Sequence, residues 1–154
     1  MGRIVQLARS DGGAPKLAIT EAHAGQLGLE GDRQKHTKFH GGPDRALCLF
    51  SLEVIETLRA EGHPISPGST GENVTIEGLD WSQLRSGTRI ELGDEVLVEL
   101  TREADPCKQI AASFIGRRFS RLNAPGQMRW YCRVIRPGLL RVGMTVRVAR
   151  ASVR

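Results

Sequence analysis

One stretch decides the fold of this chain: residues 89–100 read RIELGDEVLVEL. Apolar and polar residues largely alternate on both sides of the Gly93-Asp94 pair, and a period of two is typical of strands with one covered face. A Gly-Asp pair between two such runs is a tight-turn signal. The sequence therefore predicts a β-hairpin formed by residues 89–92 and 96–100.

Short apolar runs cut by Gly, Asp and Pro extend over the rest of the chain. Residues 46–50 (ALCLF) are apolar throughout, which indicates a strand covered on both faces. Other predicted strands are residues 3–8, 73–76, 130–135 and 145–149. Many short strands with two helices and frequent glycine turns predict a mainly β protein, a closed or nearly closed β-barrel with a few decorating α-helices.

The first of the two predicted helices follows residue 51. Leu52, Ile55 and Leu58 fall on one helical face. Ser51 is the predicted N-cap, and Gly62 is the predicted C-terminal stop.

The second predicted helix places Cys107 in its first turn. Asp105 is a good N-cap and Pro106 suits the first helical position. There the free N–H groups and the helix dipole would favour a thiolate, although the negative charge of Asp105 acts in the opposite direction. The apolar stripe of this helix would consist of Ile110, Phe114 and Ile115.

Cys107 is the strongest candidate for a reacting group, because metal binding, persulfide chemistry and nucleophilic attack all need a thiolate. The alternative is a small buried apolar side chain, as most free cysteines are. We expect Cys48 and Cys132, which lie within apolar strands, to be packing residues. Three cysteines without a C-x-x-C pair exclude a disulfide scaffold and a cysteine-rich zinc site.

Length and composition narrow the classes further. The chain has 154 residues, 40% of them hydrophobic and 25% charged, which predicts one globular domain over residues 1–154. It contains no apolar run near the roughly 20 residues that cross a bilayer, and its first residues lack the apolar core of a secretion signal. We therefore expect a cytoplasmic protein that does not enter membranes.

Charge is distributed unevenly along the chain. Residues 1–105 hold 11 Lys and Arg against 17 Asp and Glu, whereas residues 106–154 hold ten Arg, Lys108 and no acid. This asymmetry points to an anionic partner, which could be a nucleic acid, a phosphate-bearing small molecule or the chain's own acidic half. Aromatic residues make up only 5%, which weakens the nucleic-acid interpretation.

Residues 31–45 form a candidate anion-binding loop. Basic side chains beside a Gly-Gly pair, where backbone N–H groups can approach a ligand, make an anion cradle. The spacing is not that of a phosphate-binding P-loop, and a solvated polar loop is the alternative. The candidate binding residues of the loop are Lys35, His36, His40, Gly41, Gly42 and Arg45.

Asn73, in the run Gly71-Glu72-Asn73, precedes a predicted strand. An Asn at a strand mouth can bind the edge of a heterocycle with its donor and acceptor together, although a capped turn would explain the same residues. His23 and His63 lie in polar surroundings, and we expect both at the surface.

Four stretches, in this order, resemble the MOSC domain, named after the C-terminal part of molybdenum-cofactor sulfurase. They are residues 40–46 (HGGPDRA), residues 71–73 (GEN), Pro106-Cys107, and residues 130–134 (WYCRV) followed by Pro137-Gly138 and Gly143. The resemblance covers nearly the whole chain and implies a single domain of the small stand-alone bacterial type. It also implies a β-barrel of the MOSC and pyruvate-kinase-barrel type.

The resemblance implies a role with the molybdenum cofactor, molybdopterin, which carries a dithiolene and a phosphate. Cys107 would bind molybdenum or carry a sulfane sulfur. Asn73 and residues 40–45 would hold the pterin and the phosphate, and the basic residues of the loop, Lys35 among them, suit a phosphate. The first hypothesis is a reductase of N-hydroxylated small molecules that takes electrons from a separate redox partner.

Two alternatives stay open at this point. One is a sulfur carrier with a persulfide on Cys107. It would depend on a separate cysteine desulfurase, because this chain has no pyridoxal-phosphate domain. The other is a non-enzymatic nucleic-acid-binding β-barrel that uses the arginine-rich C-terminal half, an interpretation that leaves the surroundings of Cys107 unexplained.

Overall fold

The computed structural model describes residues 1–10, 12, 14–32 and 42–149. It contains eleven strands in the described residues and one α-helix, α1 (Leu52–Ala60). The strands are β1 (Gly2–Arg9), β2 (Leu17–Ile19), β3 (Glu21–Gly25), β4 (Gly28–Leu29), β5 (Leu47–Ser51), β6 (Val74–Glu77), β7 (Arg89–Leu92), β8 (Val96–Ala104), β9 (Arg129–Arg136), β10 (Gly138–Arg141) and β11 (Thr145–Val148).

Seven strands close into a β-barrel. The order around the barrel is β1, β11, β7, β8, β9, β5 and β6, and the ring closes where β1 pairs with β6. β2 extends the sheet beyond the ring, and β10, β3 and β4 form a separate three-stranded sheet. The predicted β-barrel is therefore confirmed, including the hairpin of β7 and β8, in which Leu92 pairs with Val96.

The interior of the barrel is filled by apolar side chains from the ring. Ile4, Leu49, Ile76, Ile90 and Leu100 are all at most 1% exposed and belong to one cluster. β5 is buried at all five positions, as its continuous apolar sequence predicts. Its outer face must therefore be covered by other parts of the chain, and these covering segments carry the polar residues described below.

Helix α1 links the parallel strands β5 and β6, a pairing that needs a crossover connection. The predicted N-cap is confirmed, because Ser51 Oγ accepts a hydrogen bond from the Val54 N–H at 3.2 Å. Gly62 follows the helix with a φ of 98°, a left-handed conformation that ends helices. The buried stripe is Val54, Ile55 and Leu58.

The second predicted helix is wrong in type. Cys107 is extended, with φ −140° and ψ 174°, and the chain then forms three short 3-10 segments, Lys108–Ser113, Ile115–Arg117 and Phe119–Asn123. Gly116 and Arg117 both have a φ of 60°, which interrupts any α-helix. The predicted helix dipole at Cys107 is therefore absent.

The stripe and the cap predicted for that helix also change. Ile110 and Phe114 are buried, but Ile115 is 50% exposed. The Asp105 carboxylate forms an exposed ion pair with Arg102 at 3.3 Å, and no side-chain cap is present on the segment that follows.

Charge asymmetry is partly satisfied within the chain. Four ion pairs join an arginine after residue 106 to a glutamate before residue 105: Arg121–Glu61, Arg133–Glu99, Arg141–Glu21 and Arg147–Glu91. Most of these side chains are well exposed, so each pair contributes at most about 1 kcal/mol. The interpretation in which the basic half faces the acidic half of the same chain therefore accounts for these four arginines.

α1, with nine residues, is the longest helix in the described part, where no helix is long and apolar enough to cross a bilayer.

We predict that Ser51→Ala lowers the free energy of unfolding by about 1 kcal/mol, because the Val54 N–H loses its cap. Urea-induced unfolding measures the change. Thr57→Ala in the same helix, where Thr57 Oγ1 donates only to the Glu53 carbonyl, is the matched control. It should change stability by no more than about 0.5 kcal/mol, so equal losses in both variants would contradict the capping role.

Candidate functional site

The candidate site lies on the outer face of the barrel wall formed by β5, β8 and β9. Successive residues of a strand point to opposite faces. Arg133 on β9 is exposed, whereas the alternating positions Trp130, Cys132 and Val134 are buried in the core. Arg129 and Tyr131 share the outer face with Arg133, yet Arg129 is buried because covering segments pack over it.

Cys48 lies on that same outer face, directly opposite Tyr131 in the β5–β9 ladder. It is buried, and burial raises the pKa of its thiol to about 11. Cys132, on the inner face, is fully buried, and burial raises the pKa of its thiol strongly. Both cysteines are therefore protonated packing residues at neutral pH, as expected from their apolar strands.

Cys107 differs from the other two cysteines because it is half-buried and lies in an extended segment. Ala104 ends β8, and Cys107 follows three residues later, after Pro106. Asp105, two residues before Cys107, has its carbonyl held by Arg129 Nη2 at 3.2 Å, so Cys107 follows a segment that is tied to β9. Of the three thiols, Cys107 is the one that a reagent or ligand can reach.

Tyr131 lies on the outer face of β9 and contacts Arg45. The Arg45 guanidinium carbon lies 5.4 Å from the centre of the Tyr131 ring, within the range of a cation–π contact. Burial raises the pKa of Tyr131 to about 12, and the Cys48 thiol also raises it, so the phenol keeps its proton at neutral pH. The guanidinium groups of Arg129 and Arg45 act in the opposite direction. Tyr131, Arg45 and Arg129 therefore form one cluster on this face, and Cys107 lies two residues beyond the Asp105 carbonyl that Arg129 holds.

Arg129 connects the two segments that border this cluster. It is only 5% exposed. Its Nη1 donates to the Thr70 carbonyl, and its Nη2 donates to the carbonyls of Ala104 and Asp105 at 3.4 and 3.2 Å. Its Nε is buried and has no hydrogen-bond partner in the described part of the chain.

Glu72 is a second buried ionisable side chain with one polar atom that lacks a hydrogen-bond partner among the described residues. Thr70 Oγ1 donates to Glu72 Oε1 at 2.9 Å, but Glu72 Oε2 has no partner among the described residues. Burial raises the pKa of Glu72, and the hydrogen bond from Thr70 and the charge of Arg129 oppose that rise only in part. A carboxyl group and a guanidinium group therefore each leave one polar atom unpaired in the same region.

Asn73 is buried behind this region and its amide is used by the fold. Its Oδ1 accepts from the Cys48 N–H at 3.0 Å. Its Nδ2 donates to the Ala8 carbonyl at 3.2 Å and to Asp32 Oδ2 at 2.9 Å. Both amide hydrogens are therefore donated within the fold, one to β1 and one to Asp32, and Asn73 is only 1% exposed.

Asp32 and Lys16 complete that network. The Lys16 ammonium contacts both carboxylate oxygens, at 2.8 and 2.6 Å, and both side chains are at most 4% exposed. The Ser10 N–H donates to Asp32 Oδ1 at 2.9 Å. The Lys16 ammonium and both carboxylate oxygens of Asp32 have hydrogen-bond partners, so the network is a structural latch between β1, β5 and residue 32.

The structure tests only part of the predicted anion-binding loop. Lys35, His36, His40 and Gly41 lie outside the described residues, so their placement stays a prediction. Gly42 is exposed with a φ of 96°, and its carbonyl accepts from the Arg45 N–H at 3.1 Å. Of the described candidates, Arg45 stacks on Tyr131, and Cys107 follows the Asp105 carbonyl that Arg129 holds.

One histidine differs from expectation. His23 is exposed as predicted, but the His63 side chain is only 11% exposed. His63 Nδ1 accepts from the Ile115 N–H at 3.1 Å, and its ring packs edge-on against Phe114. His63 therefore anchors the 3-10 segments to the end of α1 instead of facing water.

The sequence did not reveal Arg129, Tyr131, Lys16 and Asp32 as parts of this region. Arg129 and Tyr131 alternate with apolar residues at the start of β9, a pattern that suits any half-exposed strand. One signal could have identified Arg129. It is a basic residue at the first position of β9, and the neighbouring strand β8 ends at Ala104, just before Pro106. The Lys16–Asp32 pair has no local signal, because a salt bridge over 16 residues depends on the whole fold.

The fold and the site define a closed seven-stranded β-barrel protein with a half-buried cysteine three residues beyond β8. Comparison with known families then identifies it: the MOSC domain model matches residues 36–147, and the chain belongs to the MOSC domain family. The resemblance seen in the sequence is confirmed.

Individual relatives agree with this assignment. Protein YiiM of Escherichia coli is 32% identical over 128 residues, which cover 80% of this chain and 54% of YiiM. The crystal structure of YiiM from Escherichia coli matches with a TM-score of 0.74 and 25% identity, over 100% of this chain and 72% of that chain. A protein of Gibberella moniliformis named reductase is 29% identical over 112 residues, 70% of this chain and 20% of that protein. The chain thus spans about half the length of YiiM.

We predict that Asn73→Ala lowers the free energy of unfolding by about 3 kcal/mol, because the Cys48 N–H, the Ala8 carbonyl and Asp32 each lose a buried partner. Denaturant unfolding measures the loss. The control is Asn123→Ala, which removes an exposed asparagine and should change stability by no more than about 0.5 kcal/mol. A loss for Asn73→Ala as small as that of the control would show that its amide does not hold the latch.

We predict that the effect of Glu72→Gln on the free energy of unfolding depends on pH. The raised pKa of Glu72 means that the folded chain holds this proton more tightly than the unfolded chain does. Its contribution to stability is therefore complete below the unfolded value of about 4.3 and is lost as pH rises through the folded pKa. Glutamine keeps an acceptor for Thr70 and cannot ionise.

The stability of Glu72→Gln relative to the natural chain should therefore increase with pH, as urea unfolding at pH 4, 6 and 8 would show. Glu56→Gln, an exposed glutamate on α1, controls for the lost charge and should stay within about 0.5 kcal/mol. A difference that is constant with pH, or that decreases, would mean that the folded protein does not favour protonated Glu72.

Proposed function

We propose that this chain is a molybdenum-cofactor-binding reductase domain that acts on N-hydroxylated small molecules in the cytoplasm, with Cys107 as the protein ligand of molybdenum. The observation that carries the proposal is the half-buried Cys107, two residues beyond the Asp105 carbonyl that Arg129 holds on the face of β9 that also carries Tyr131 and the stacked Arg45. A thiolate is a soft ligand that suits molybdenum, and nearby guanidinium groups suit an anionic, phosphate-bearing ligand. The reductase name of the Gibberella relative supports the reaction class.

The residues of the site fit a pterin carrying a dithiolene and a phosphate. Arg129 Nε is a buried donor without a partner, and Glu72 Oε2 is a buried acceptor without one, within the described residues. A buried polar atom left unpaired is costly, and a heterocycle that carries both acceptors and donors can satisfy both atoms. Cys107 would bind the metal, Glu72 and Arg129 would contact the pterin, and Arg45 would face the phosphate.

The loop residues and Asn73, all predicted from the sequence as cofactor contacts, have different roles in this proposal. The loop residues Lys35, His36, His40 and Gly41 stay predicted cofactor contacts on the strength of the family resemblance. Asn73 holds the wall behind the site through its amide bonds, so we propose it as a structural support instead of a direct contact.

The overall reaction of the proposed function balances as R–NH–OH plus two electrons and two protons giving R–NH₂ and water. The electrons come from a separate electron-transfer protein. When bound, the molybdenum cofactor supplies a metal centre that accepts an oxygen atom and cycles two electrons. The residues of the chain bind and orient: Tyr131 keeps its proton and can donate a hydrogen bond, and the two guanidinium groups attract negative charge.

The sulfur-carrier hypothesis uses the same accessible thiol and is distinguished by what Cys107 carries. A carrier would hold a persulfide without a metal after incubation with a cysteine desulfurase and cysteine. Mass spectrometry would then find one added sulfur on the peptide of residues 103–108 (EADPCK).

The test of the proposed function is expression in a host that makes the molybdenum cofactor, followed by metal and pterin analysis per chain. We predict stoichiometric molybdenum in the natural chain and a loss of at least tenfold in Cys107→Ser, since serine is a poor ligand for a soft metal. Reduction of an N-hydroxylated amidine or base with a chemical electron donor should fall in parallel.

Cys132→Ala is the matched control, because it removes a thiol that is sealed in the barrel core. It should keep both the metal and the activity. Natural protein that holds neither molybdenum nor pterin after gentle purification, or a Cys107→Ser variant that keeps both, would rule out the proposal.

A further inference from the structure

We propose that Arg129 is the positioning residue of Cys107: its buried guanidinium fixes the segment that carries the thiol against the segment that carries Glu72. The inference rests on the proposed function in so far as Cys107 is the working group of the site. It assigns a role to a residue that contributes no sulfur and binds no metal.

The hydrogen bonds of Arg129 carry the first step. Three carbonyls, those of Thr70, Ala104 and Asp105, accept from its two Nη atoms. Thr70 lies two residues before Glu72, and Asp105 lies two residues before Cys107. One rigid, planar group therefore joins both borders of the site, and its fork geometry fixes their separation and orientation.

The need for such a clamp follows from the backbone around Cys107. β8 ends at Ala104, which pairs with Arg129 in the β8–β9 ladder. Pro106 has no N–H and cannot continue that ladder. Helical hydrogen bonding starts beyond it, where the Cys107 carbonyl accepts from the Ile110 N–H at 3.1 Å. The Asp105 carbonyl is thus held by the Arg129 side chain at the point where the strand can no longer hold it.

The side chain of Arg129 is not needed for the sheet itself. A strand pair such as Ala104–Arg129 is made by backbone atoms and would form with any residue that tolerates burial. A buried guanidinium is costly to desolvate unless its donors are satisfied, and here four of its five N–H groups lie on the two Nη atoms that hold the carbonyls. The buried cation at this position is therefore explained by its hydrogen bonds, which fix the backbone at Thr70, Ala104 and Asp105.

The test is alkylation of the three thiols in the folded, metal-free chain. Iodoacetamide rates are compared on the high-pH plateau, where loss of the Arg129 charge no longer changes the thiolate fraction, and the Cys48, Cys107 and Cys132 peptides are quantified separately. We predict that Arg129→Met speeds labelling of Cys107 about tenfold, the effect expected when hydrogen bonds from a charged donor are lost. Cys48 and Cys132 should stay unlabelled.

Two further variants make the readout specific. Arg129→Lys keeps the charge and should restore part of the slow labelling, because an ammonium group can still reach one or two of the carbonyls. Arg133→Met is the matched control on the same face of β9, where exposed Arg133 pairs with Glu99, and it should label as the natural chain does. If Arg129→Met does not fold, Arg129→Lys provides the comparison.

The outcomes separate this inference from the proposed function. Unchanged Cys107 labelling in the Arg129 variants would overturn the positioning role. So would equal acceleration at all three thiols, which would mean that Arg129 only stabilises the fold. Cys107 labelling that responds to Arg129 while Cys107→Ser keeps its molybdenum would instead leave Arg129 in its role and remove the proposed metal ligand.

Discussion

The outer face of strand β5 sets the constraint on which the rest of this structure depends. β5 is apolar on both sides and buried at every position, so the covering segments must bury their own polar groups against it. Each buried N–H and carbonyl then needs a partner inside the protein. The Asn73 amide answers that need most directly, since it satisfies the Cys48 N–H of β5 and the Ala8 carbonyl of β1.

Two buried polar groups on this wall differ in how completely they are satisfied. The Lys16–Asp32 pair is closed, because the carboxylate accepts from the ammonium, from Asn73 and from a backbone N–H. The Glu72 and Arg129 side chains are open, with one unpaired atom each among the described residues. A closed network of this kind rigidifies a fold. The contrast marks Glu72 and Arg129 as the incompletely satisfied part of this wall.

Local sequence patterns predicted the elements that local forces determine. The alternation and the Gly-Asp turn of residues 89–100 identified a hairpin, the apolar run of 46–50 identified β5, and Ser51 was recognised as a helix cap. These features depend on neighbours within a few residues. The number of short strands also predicted the barrel, and the family resemblance pointed to Cys107 and to the loop that ends at Arg45, which stacks on Tyr131.

Local sequence patterns did not predict the features that depend on contacts between residues far apart in the chain. The bond from Arg129 to Thr70 spans 59 residues, and no local signal distinguishes that arginine from exposed Arg133 on the same face of β9. The helix expected at Cys107 had a sound N-terminal signal in Asp105 and Pro106. Phe114 nevertheless returns to an extended conformation and Gly116 turns left-handed, so the following residues never complete α-helical turns. An N-terminal signal predicts where a helix can begin, but it does not make the helix continue.

The loss of that helix changes the physical explanation of the site. Without a helix dipole, an anion beside Cys107 would meet the guanidinium groups of Arg129 and Arg45, one buried in the wall and the other stacked on Tyr131. These are full charges with fixed positions, in a region from which the covering segments exclude much of the water, so they act more strongly than the partial charge of a short helix would. Most other arginines of the basic half face exposed glutamates or solvent, where screening weakens them. In the proposed function, the electrostatic environment of Cys107 would therefore depend on where two of the many arginines are buried or stacked, and the net charge of the chain would have little part in it.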